Sequence, residues 1–441
     1  MPRILVLGAS QFAGCFRELG FDVLTIVSRG VSQDPADVII DFYSNPSGIR
    51  DLIRSKIESF SPDFIFQGDH SGPLIHAGLE EYSIPRAWYA IDTHLHLKWH
   101  RHYAALFDKV FCAQKRLVSE LNFYQPDVEW LPLYCSGNAG FVQWEKREHD
   151  VSFVGKLDPA ANSERVCLFE EIKRLGVPLF CTTGNFSPVY SSSKIVINQS
   201  VCDDLNLRFF EGAGCGALLI TDELSHSMNE ILEPQKDFLL YRHNNAQELA
   251  SKIKWALSHD EEACEMAQRA FRKIRDSHME INRARRVAQW FLEESSGSVP
   301  KEHGMVLSHL AWACDHCSLL DLPANLCEFF SNLAKDYALK ARASESGRDR
   351  ALLVLADREL RKNNLSAAKS LFMQINNIEK KDLEFQIRFS QLGAVTEAAA
   401  GNLEKASEIM DAILLLSPSD RELLDLNRVI KSALNRSRER K

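Results

Sequence analysis

The most constraining feature of this sequence is the alternation of short apolar runs with longer amphipathic stretches throughout its first half. Such alternation predicts parallel β-strands connected by helices that cover both faces of a sheet. The runs of the first series are Ile4–Leu7, Val23–Val27, Val38–Asp41, Phe64–Phe66, Arg86–Ala90, Val110–Cys112 and Trp130–Leu133. Because parallel sheets bind ligands beyond the carboxyl ends of their strands, the residues that follow each run are the candidates for function.

A second series of strands begins near Asp150 and predicts a smaller sheet of the same kind. Its strands are expected at Val151–Val154, Pro178–Cys181, Ile195–Asn198, Ala217–Thr221 and Phe238–Tyr241. Helices are expected between them, at residues 163–175, 206–214 and 245–258. From Glu261 to about Glu294 the pattern predicts one long helical region.

The chain changes character after Ser295–Pro300, a Ser/Gly/Pro-rich segment typical of a linker. Residues 301–435 contain no convincing strand, but they do contain an internal repeat. The pattern Asn364-Leu365-x-x-Ala368-x-x-Leu371 recurs 38 residues later as Asn402-Leu403-x-x-Ala406-x-x-Ile409. Small residues at helical spacing are typical of stacked helical hairpins, and the pattern resembles tetratricopeptide repeats. A plain helical bundle is the alternative.

Composition and charge exclude several classes of protein. Of the 441 residues, 45% are hydrophobic and 25% are charged, which is ordinary for a globular chain. The net charge of −8 argues against a nucleic-acid binder, because phosphate affinity requires clustered Lys and Arg. Neither a signal peptide nor a run of 18 apolar residues is visible, so no transmembrane segment is expected. The eleven scattered cysteines then predict reduced thiols in a cytoplasmic protein.

The richest segment for chemistry is Ser193–Asp222, where a predicted strand ends at Asn198 and a short helix follows. The start of a helix near small residues offers free N–H groups and a favourable dipole to a diphosphate. Arg208 is suited to neutralise phosphate charge, and the Glu211 carboxylate is suited to accept hydrogen bonds from ribose hydroxyls. The alternative is that Glu211 satisfies its neighbours and that the nearby glycines allow close packing.

Residues 206–222, NLRFFEGAGCGALLITD, resemble the glycosyltransferase group 1 signature, in particular its spore-maturation (CgeB-like) branch. The resemblance covers roughly residues 60–293 and is most specific in the central segment. It implies an α/β fold of the GT-B kind, in which two Rossmann-like domains face a cleft. It also implies a nucleotide-sugar donor held mainly by the second domain, without a metal.

The resemblance assigns donor-binding roles to a set of residues in the second domain. These residues are Gly155, Lys156, Thr183, Asn206, Arg208 and Glu211. Lys156, together with Arg165, is expected near the diphosphate, and the turn that contains Thr183 is expected near the nucleobase. The alternative for Lys156 is an ordinary solvated loop residue. Many related enzymes carry a glutamate eight positions before the one matched by Glu211, whereas this chain has Asp203 there.

In the first domain, two predicted strand ends are rich in ionisable groups. Asp69 and His70 follow one strand, and Asp92 and His94, with His96 nearby, follow the next. An Asp beside a His at the end of a strand can act as a general base and its orienting partner. The sequence therefore predicts Asp69 or His70 as the group that deprotonates the acceptor hydroxyl, with Asp92, His94 and His96 as the alternative.

Two groups have the spacing of metal ligands, and one loop invites a dinucleotide-binding interpretation. Cys314-x-x-Cys317 flanks His316, but no second ligand pair lies at a usual distance. His94-x-His96 with Asp92 or Asp69 resembles a hydrolase-type metal cluster, but the resemblance to GT-B enzymes implies catalysis without a metal, and no Asp-x-Asp motif is present. The loop Gly8–Gly14 lacks the G-x-G-x-x-G spacing, and no acidic residue ends the second strand. We therefore expect neither a metal nor NAD, and helix packing is the favoured explanation of the two cysteines.

The sequence predicts an N-terminal Rossmann-like domain (1–148), a nucleotide-sugar domain (149–294) and a helical-repeat module (301–441). The predicted activity is transfer of a sugar from a nucleotide-diphosphate sugar, as co-substrate, to an acceptor hydroxyl, with no other cofactor. Helical repeats offer surfaces for proteins, so a protein acceptor or partner is expected. The alternative is a non-catalytic scaffold that binds nucleotide sugars or assembles partners. The sugar, nucleotide, stereochemistry, acceptor and oligomeric state do not follow from the sequence.

Overall fold

The computed structural model describes residues 1–29, 36–69, 72–295 and 301–439. The chain forms two compact units, one made of residues 1–76 and 82–298 and the other of residues 77–81 and 299–441. Both β-sheets belong to the first unit, and the second unit contains only helices within its described residues. Its small N-terminal piece, residues 77–81, contains a 3-10 turn.

The first sheet has seven parallel strands in the order β3-β2-β1-β4-β5-β6-β7. They are β1 (Arg3–Leu7), β2 (Asp22–Ser28), β3 (Val38–Ile40), β4 (Phe64–Gly68), β5 (Arg86–Ala90), β6 (Lys109–Cys112) and β7 (Val128–Trp130). The helices between them are α1 (Phe12–Glu18), α2 (Ile49–Phe60), α3 (Thr93–Tyr103) and α4 (Val118–Leu121). The central strands are buried on both faces, which explains why they are continuous apolar runs in the sequence.

The second sheet has five parallel strands in the order β12-β11-β10-β8-β9. They are β8 (His149–Val154), β9 (Leu179–Thr182), β10 (Ser193–Asn198), β11 (Leu218–Asp222) and β12 (Leu239–Tyr241). Its helices are α5 (Pro159–Arg174), α6 (Phe186–Ser191), α7 (Leu207–Gly214) and α8 (Ala246–Ser258). The predicted fold class, two Rossmann-like sheets followed by an all-helical region, is therefore confirmed.

The last strand of the first sheet lies earlier than predicted. Strand β7 ends at Trp130, where it pairs with Cys112 of β6, whereas the apolar run predicted a strand at Trp130–Leu133. Leu131 and Leu133 are nonetheless buried in the core. They begin the inter-sheet segment, residues 131–148, so their apolar character reflects burial and not strand pairing.

The helical region predicted from Glu261 to Glu294 is interrupted. It forms α9 (Asp260–Ser277) and α10 (Glu280–Gln289), followed by a π-helical turn. At the break, the Cys135 amide donates to the His278 carbonyl (2.8 Å) and the Glu280 amide donates to the Cys135 carbonyl (3.0 Å). The inter-sheet segment thus takes backbone hydrogen bonds that would otherwise continue the helix.

Helix α10 returns to the first sheet. It packs against α1, and the buried Arg283 donates to the carbonyl oxygens of Pro132 (2.6 Å) and Leu133 (2.8 Å). Arg286 forms a bidentate ion pair with Glu129 at the end of the first sheet (2.8 and 2.6 Å). These contacts fix how the two sheets are joined.

The second unit consists of helices, most of which pack against their neighbours in the chain. They are α11 (His303–Cys317), α12 (Ala324–Ala341), α13 (Arg348–Arg361), α14 (Leu365–Phe372), α15 (Leu383–Ala399), α16 (Leu403–Leu416) and α17 (Arg421–Glu439). The two copies of the repeat begin α14 and α16, with Asn364 and Asn402 directly before each helix and Ala368 and Ala406 fully buried. The assignment to the tetratricopeptide class stays a prediction.

Cys314 and Cys317 are completely buried inside α11. Burial raises the pKa of both thiols well above the ordinary value, as in structural cysteines that pack inside a core. Across the described residues, no three metal-ligating side chains lie together. The described helices include none that is both long and apolar enough to cross a bilayer.

Gly214 offers a test of how tightly α7 packs against the inter-sheet segment. A Cβ added at Gly214 would lie 2.3 Å from Sγ of Cys135 and 3.2 Å from Cγ2 of Ile274, so these neighbours would have to move. We expect Gly214→Ala to lower the free energy of unfolding by about 1–3 kcal/mol, measured by urea denaturation.

Gly14 in α1 is the matched control, because a Cβ added there would have no heavy atom within 4 Å apart from its chain neighbours and the backbone of its own helix. Alanine is the better helix former, so Gly14→Ala should raise the free energy of unfolding by up to about 1 kcal/mol. An equal loss of stability in both variants would show that close packing at Gly214 is not the cause.

Candidate functional site

The parallel arrangement brings the ends of β8, β10 and β11 to one edge of the second sheet. Gly155 follows β8, Asn198 ends β10 and Asp222 ends β11. Asn206 caps the start of α7, where its side-chain oxygen accepts a hydrogen bond from the Phe209 amide (3.3 Å). This edge therefore combines loop residues, a helix N-terminus and polar side chains.

Arg208 is held at this edge by several contacts. Its Nη1 donates to Oδ1 of Asn198 (2.9 Å), and its Nε and Nη2 donate to the Val154 carbonyl (3.3 Å each). The guanidinium also stacks over the Phe153 ring at 4.3 Å from its centroid. A Cβ added at Gly155 would lie 2.8 Å from Nη2, so the absence of a side chain at Gly155 allows Arg208 this position.

A second guanidinium, that of Arg165 on α5, shares the same aromatic ring. It lies 5.3 Å from the Phe153 centroid and donates to the side-chain oxygen (3.2 Å) and carbonyl oxygen (3.1 Å) of Gln199. Burial and the charge of Arg208 together lower the pKa of Arg165 to about 10. Two positive charges are thus held close together, and their hydrogen bonds within the described residues go to neutral oxygens.

Glu211 lies one turn after Arg208 on α7. Its side chain is half-buried and makes no hydrogen bond within the described part of the chain. Burial raises the pKa of Glu211 to about 7, and the charge of Arg208 partly offsets this effect. The carboxylate is therefore costly to keep ionised.

The loop before α7 contains two adjacent carboxylates with different surroundings. Asp203 has a left-handed backbone (φ 59°), accepts from the Ser225 amide (2.9 Å) and lies 3.7 Å from Nε of Arg116. Asp204 is half-buried like Asp203, but burial raises its pKa while the charges of His94 and Arg208 lower it. The carboxylate that shares surroundings with Arg208 is therefore Asp204. Counting back from Glu211 pointed to Asp203 and missed Asp204.

The same loop is fixed to the sheet by Asp222, which the sequence reasoning did not single out. Its fully buried carboxylate accepts from the Ser200 amide (2.9 Å), from the Ser200 hydroxyl (2.7 Å) and from Nδ1 of His243 (2.6 Å). Burial lowers the pKa of His243, but the hydrogen bonds and charges of Asp222 and Glu164 raise it, and the net shift is upward. Asp222 therefore positions the loop that follows β10.

Contacts from the first sheet reach this loop as well. The Leu205 amide donates to Oε1 of Gln114 (3.0 Å), and Nη2 of Arg116 donates to the Cys202 carbonyl (2.9 Å). Gln114 and Arg116 follow β6 in the first sheet. The loop therefore lies where the two sheets meet, at the cleft expected for this fold.

Asp69 holds the end of β4 against the start of α3. Its Oδ2 accepts from the amides of Ile91 (3.0 Å) and Asp92 (2.8 Å), and it lies 3.8 Å from Nε2 of the buried His100. Its side chain is only 4% exposed, so this geometry favours a positioning role over proton transfer from a substrate. His70, its predicted partner, lies outside the described residues.

His94 lies in the first turn of α3, with Asp92 directly before the helix. Its half-buried imidazole has an Nδ1 atom without a hydrogen-bond partner among the described residues. Burial lowers the pKa of His94, while the charges of Asp204 and Asp92 raise it. A neutral imidazole from the first sheet thus lies within the electrostatic influence of a carboxylate from the second.

The remaining predicted donor residues are exposed. Lys156 follows Gly155 at the end of β8, and Thr183 follows β9, where its carbonyl accepts from the Thr182 hydroxyl (3.5 Å). Neither side chain makes a contact that fixes its position within the described residues. Their roles remain predictions, whereas Arg208 and Glu211 lie together with Arg165 and Asp204.

A model of a known protein family matches part of this region. Residues 168–289, which run from within α5 to the end of α10, match the family model described as glycosyl transferase-like. No curated protein matches the chain.

Several solved structures are similar. Anabaena HepE, crystallised with UDP and glucose, is 13% identical, with a TM-score of 0.50 over 66% of this chain and 100% of HepE. A Rickettsia africae glycosyltransferase is 13% identical, with a TM-score of 0.48 over 66% of this chain and 99% of that one. Sucrose-phosphate synthase from Thermosynechococcus elongatus is 10% identical, with a TM-score of 0.49 over 68% and 100%. The chain therefore contains a glycosyltransferase-like domain within a two-sheet GT-B fold.

Proposed function

We propose that this protein transfers a sugar from a nucleotide-diphosphate sugar to an acceptor hydroxyl. The observation that carries the proposal is the pair of guanidinium groups, Arg165 and Arg208, held over Phe153 beside the start of α7. Two adjacent cations at a helix N-terminus suit a diphosphate, which would relieve their mutual repulsion. HepE binds UDP, so uridine nucleotides are the first donors to test.

The other donor contacts of the proposal surround this pair. Glu211 accepts hydrogen bonds from the ribose hydroxyls, and Asn206 holds the start of α7 in place. Gly155 and Lys156 lie beside the diphosphate, and the exposed turn at Thr183 lies beside the nucleobase. The leaving diphosphate is then stabilised by fixed positive charge and helix N–H groups.

His94 is the proposed base for the acceptor. Its imidazole is neutral at pH 7 because burial lowers its pKa, and the charges of Asp204 and Asp92 stabilise the protonated form. In the reaction, the acceptor oxygen forms a bond to the anomeric carbon and the bond from that carbon to the phosphate oxygen breaks. The acceptor proton moves to His94, and the nucleoside diphosphate leaves with the electron pair.

The acceptor in this proposal is a hydroxyl group on a protein, because the second unit is built of stacked helical hairpins. A second candidate function is a non-catalytic nucleotide-sugar binder or scaffold. The contacts of Asp203 favour this alternative, because the residue in the place of a common glutamate bonds to Ser225 within its own domain. Donor binding fits both functions, whereas donor turnover fits only the transferase.

Removal of the Arg208 side chain should weaken donor binding. We expect Arg208→Ala to raise the dissociation constant for the nucleotide diphosphate by roughly 10- to 100-fold, since a charge-assisted hydrogen bond contributes about 1.5–3 kcal/mol. Calorimetric titration with UDP, GDP and their sugars measures the change. Arg174→Ala is the control, because Arg174 lies on α5 and is exposed. If no nucleotide binds the wild-type protein, the donor site does not exist.

Glu211 should make donor binding depend on pH. Its carboxylate must be ionised to accept two hydroxyl donors, and its pKa of about 7 means that it is largely protonated below that pH. Affinity for a UDP-sugar should therefore rise by roughly tenfold between about pH 6 and pH 8. Glu211→Gln should bind more weakly at pH 8 and should lose this dependence.

The same substitution should stabilise the protein. The pKa of Glu211 is raised by folding, from 4.5 to about 7, so ionisation progressively destabilises the folded state as the pH rises through this window. Glu211→Gln should therefore increase the free energy of unfolding by about 1–3 kcal/mol at pH 8 and by almost nothing near pH 4. Equal stability at pH 8 would remove the argument that this carboxylate is retained for a ligand.

Loss of His94 should separate chemistry from binding. We expect His94→Gln to keep the donor dissociation constant within about twofold and to slow release of nucleoside diphosphate by roughly 100-fold or more. Release is measured with the donor that titration identifies and with water or a polyol as acceptor. His259→Gln is the control, because His259 is exposed on another surface of the second domain. Unchanged release in His94→Gln would exclude His94 as the base.

A further inference from the structure

A groove of about 370 Å³ lies on the helical unit, between α12, α13 and α14. Its volume is in the range of ligand-binding pockets. Lys335 and Leu339 of α12 form one wall together with Arg342, which directly follows this helix, because the three lie four and three residues apart on one helix face. The opposite walls come from the C-terminal half of α13 and from α14.

The groove is basic although the whole chain carries a net charge of −8. Its cations are Lys335, Arg342, Arg358 and Lys362, and its one carboxylate is Glu359. Glu359 accepts from Nζ of Lys362 (2.8 Å) and from Nδ2 of Asn364 (2.8 Å), so Lys362 and the turn before α14 already neutralise it. The groove therefore keeps an excess of positive charge.

Lys335 and Arg342 carry most of this excess at the surface. Neither makes an ion pair within the described residues, and Nη2 of Arg342 donates to the neutral side-chain oxygen of Gln374 on the opposite wall (2.9 Å). Arg358 is buried, and it donates to the Ser331 hydroxyl (2.8 Å). Surface cations without carboxylate partners are available to an anionic ligand.

An apolar side chain lies between the two exposed cations. Leu339 is 48% exposed, and Leu371 and Ala367 of α14 face the same groove. Lys335 and Arg342 are seven residues apart, or about 10 Å along the helix. An extended peptide of about four residues spans the same distance. The spacing of Lys335 and Arg342, with Leu339 between them, therefore matches a short extended peptide that has a carboxylate at each end and an apolar side chain in the middle.

We propose that this groove binds an acidic peptide segment of a partner protein, with carboxylates on Lys335 and Arg342 and an apolar side chain on Leu339. The inference concerns the helical unit alone and does not depend on the proposed transferase activity. The exposed cations of the groove complement the negative charge of the peptide, and Leu339 offers an apolar contact from which water is excluded.

The test uses the full-length protein and a fluorescein-labelled peptide in which pairs of glutamates flank a central leucine. Fluorescence anisotropy at about 150 mM salt should show saturable binding, and a peptide with glutamine in place of glutamate should bind at least roughly tenfold more weakly. The double variant Lys335→Glu/Arg342→Glu should lose at least about tenfold in affinity for the acidic peptide. Leu339→Ser, which leaves the charge unchanged, should lose about three- to tenfold.

The matched control is Lys405→Glu/Arg428→Glu, which changes the net charge equally at exposed positions on α16 and α17. It should bind the peptide as the wild-type protein does, and unchanged thermal unfolding should show that all variants are folded. Absence of saturable binding by the wild type would overturn the proposal. An equal loss of peptide affinity in the control variant would also overturn the proposal. Displacement of the peptide by a single-stranded RNA that binds more tightly would overturn it as well.

Discussion

The candidate site depends on two like charges that are held side by side. Arg165 and Arg208 approach the same ring, Phe153, and their hydrogen bonds go to neutral oxygens of the second sheet and of the loop that follows β10. In a protein without an anionic ligand such an arrangement is unfavourable, because each charge lowers the stability of the other. The half-buried Glu211 also lowers the stability of the folded protein when it is ionised, because burial raises its pKa. Costs of this kind concentrate at sites that bind a ligand.

The site is assembled by two sheets and not by one motif. Gln114 of the first sheet receives the Leu205 amide of the second, and Arg283 of α10 bonds to the inter-sheet segment. These contacts fix the loop that contains Asp204 against the sheet that supplies His94. Proton transfer and donor binding, as proposed, therefore rely on groups from opposite sides of the cleft. A change in the inter-sheet segment should affect both of them together.

The helical unit has a separate source of specificity. Its basic groove results from the spacing of Lys335 on α12 and Arg342, which directly follows this helix, and from the neutralisation of Glu359 by Lys362. Net charge gives no sign of this groove, since the chain is acidic as a whole. Charge of one sign concentrated on one surface can select a partner even when the total charge has the opposite sign.

The sequence by itself determined the strands other than β7, because strands buried on both faces must be apolar. It also determined the helix that contains Arg208 and Glu211, because helix and loop signals lie in consecutive residues. Only the tertiary structure decided between Asp203 and Asp204, because left-handed backbone at Cys202 and Asp203 sets where each carboxylate points. It also decided the break between α9 and α10, where Cys135 of a distant segment takes the hydrogen bonds, and the bonds of Asp69 to the backbone after β5. These features depend on contacts between residues far apart in the chain, which no local pattern encodes.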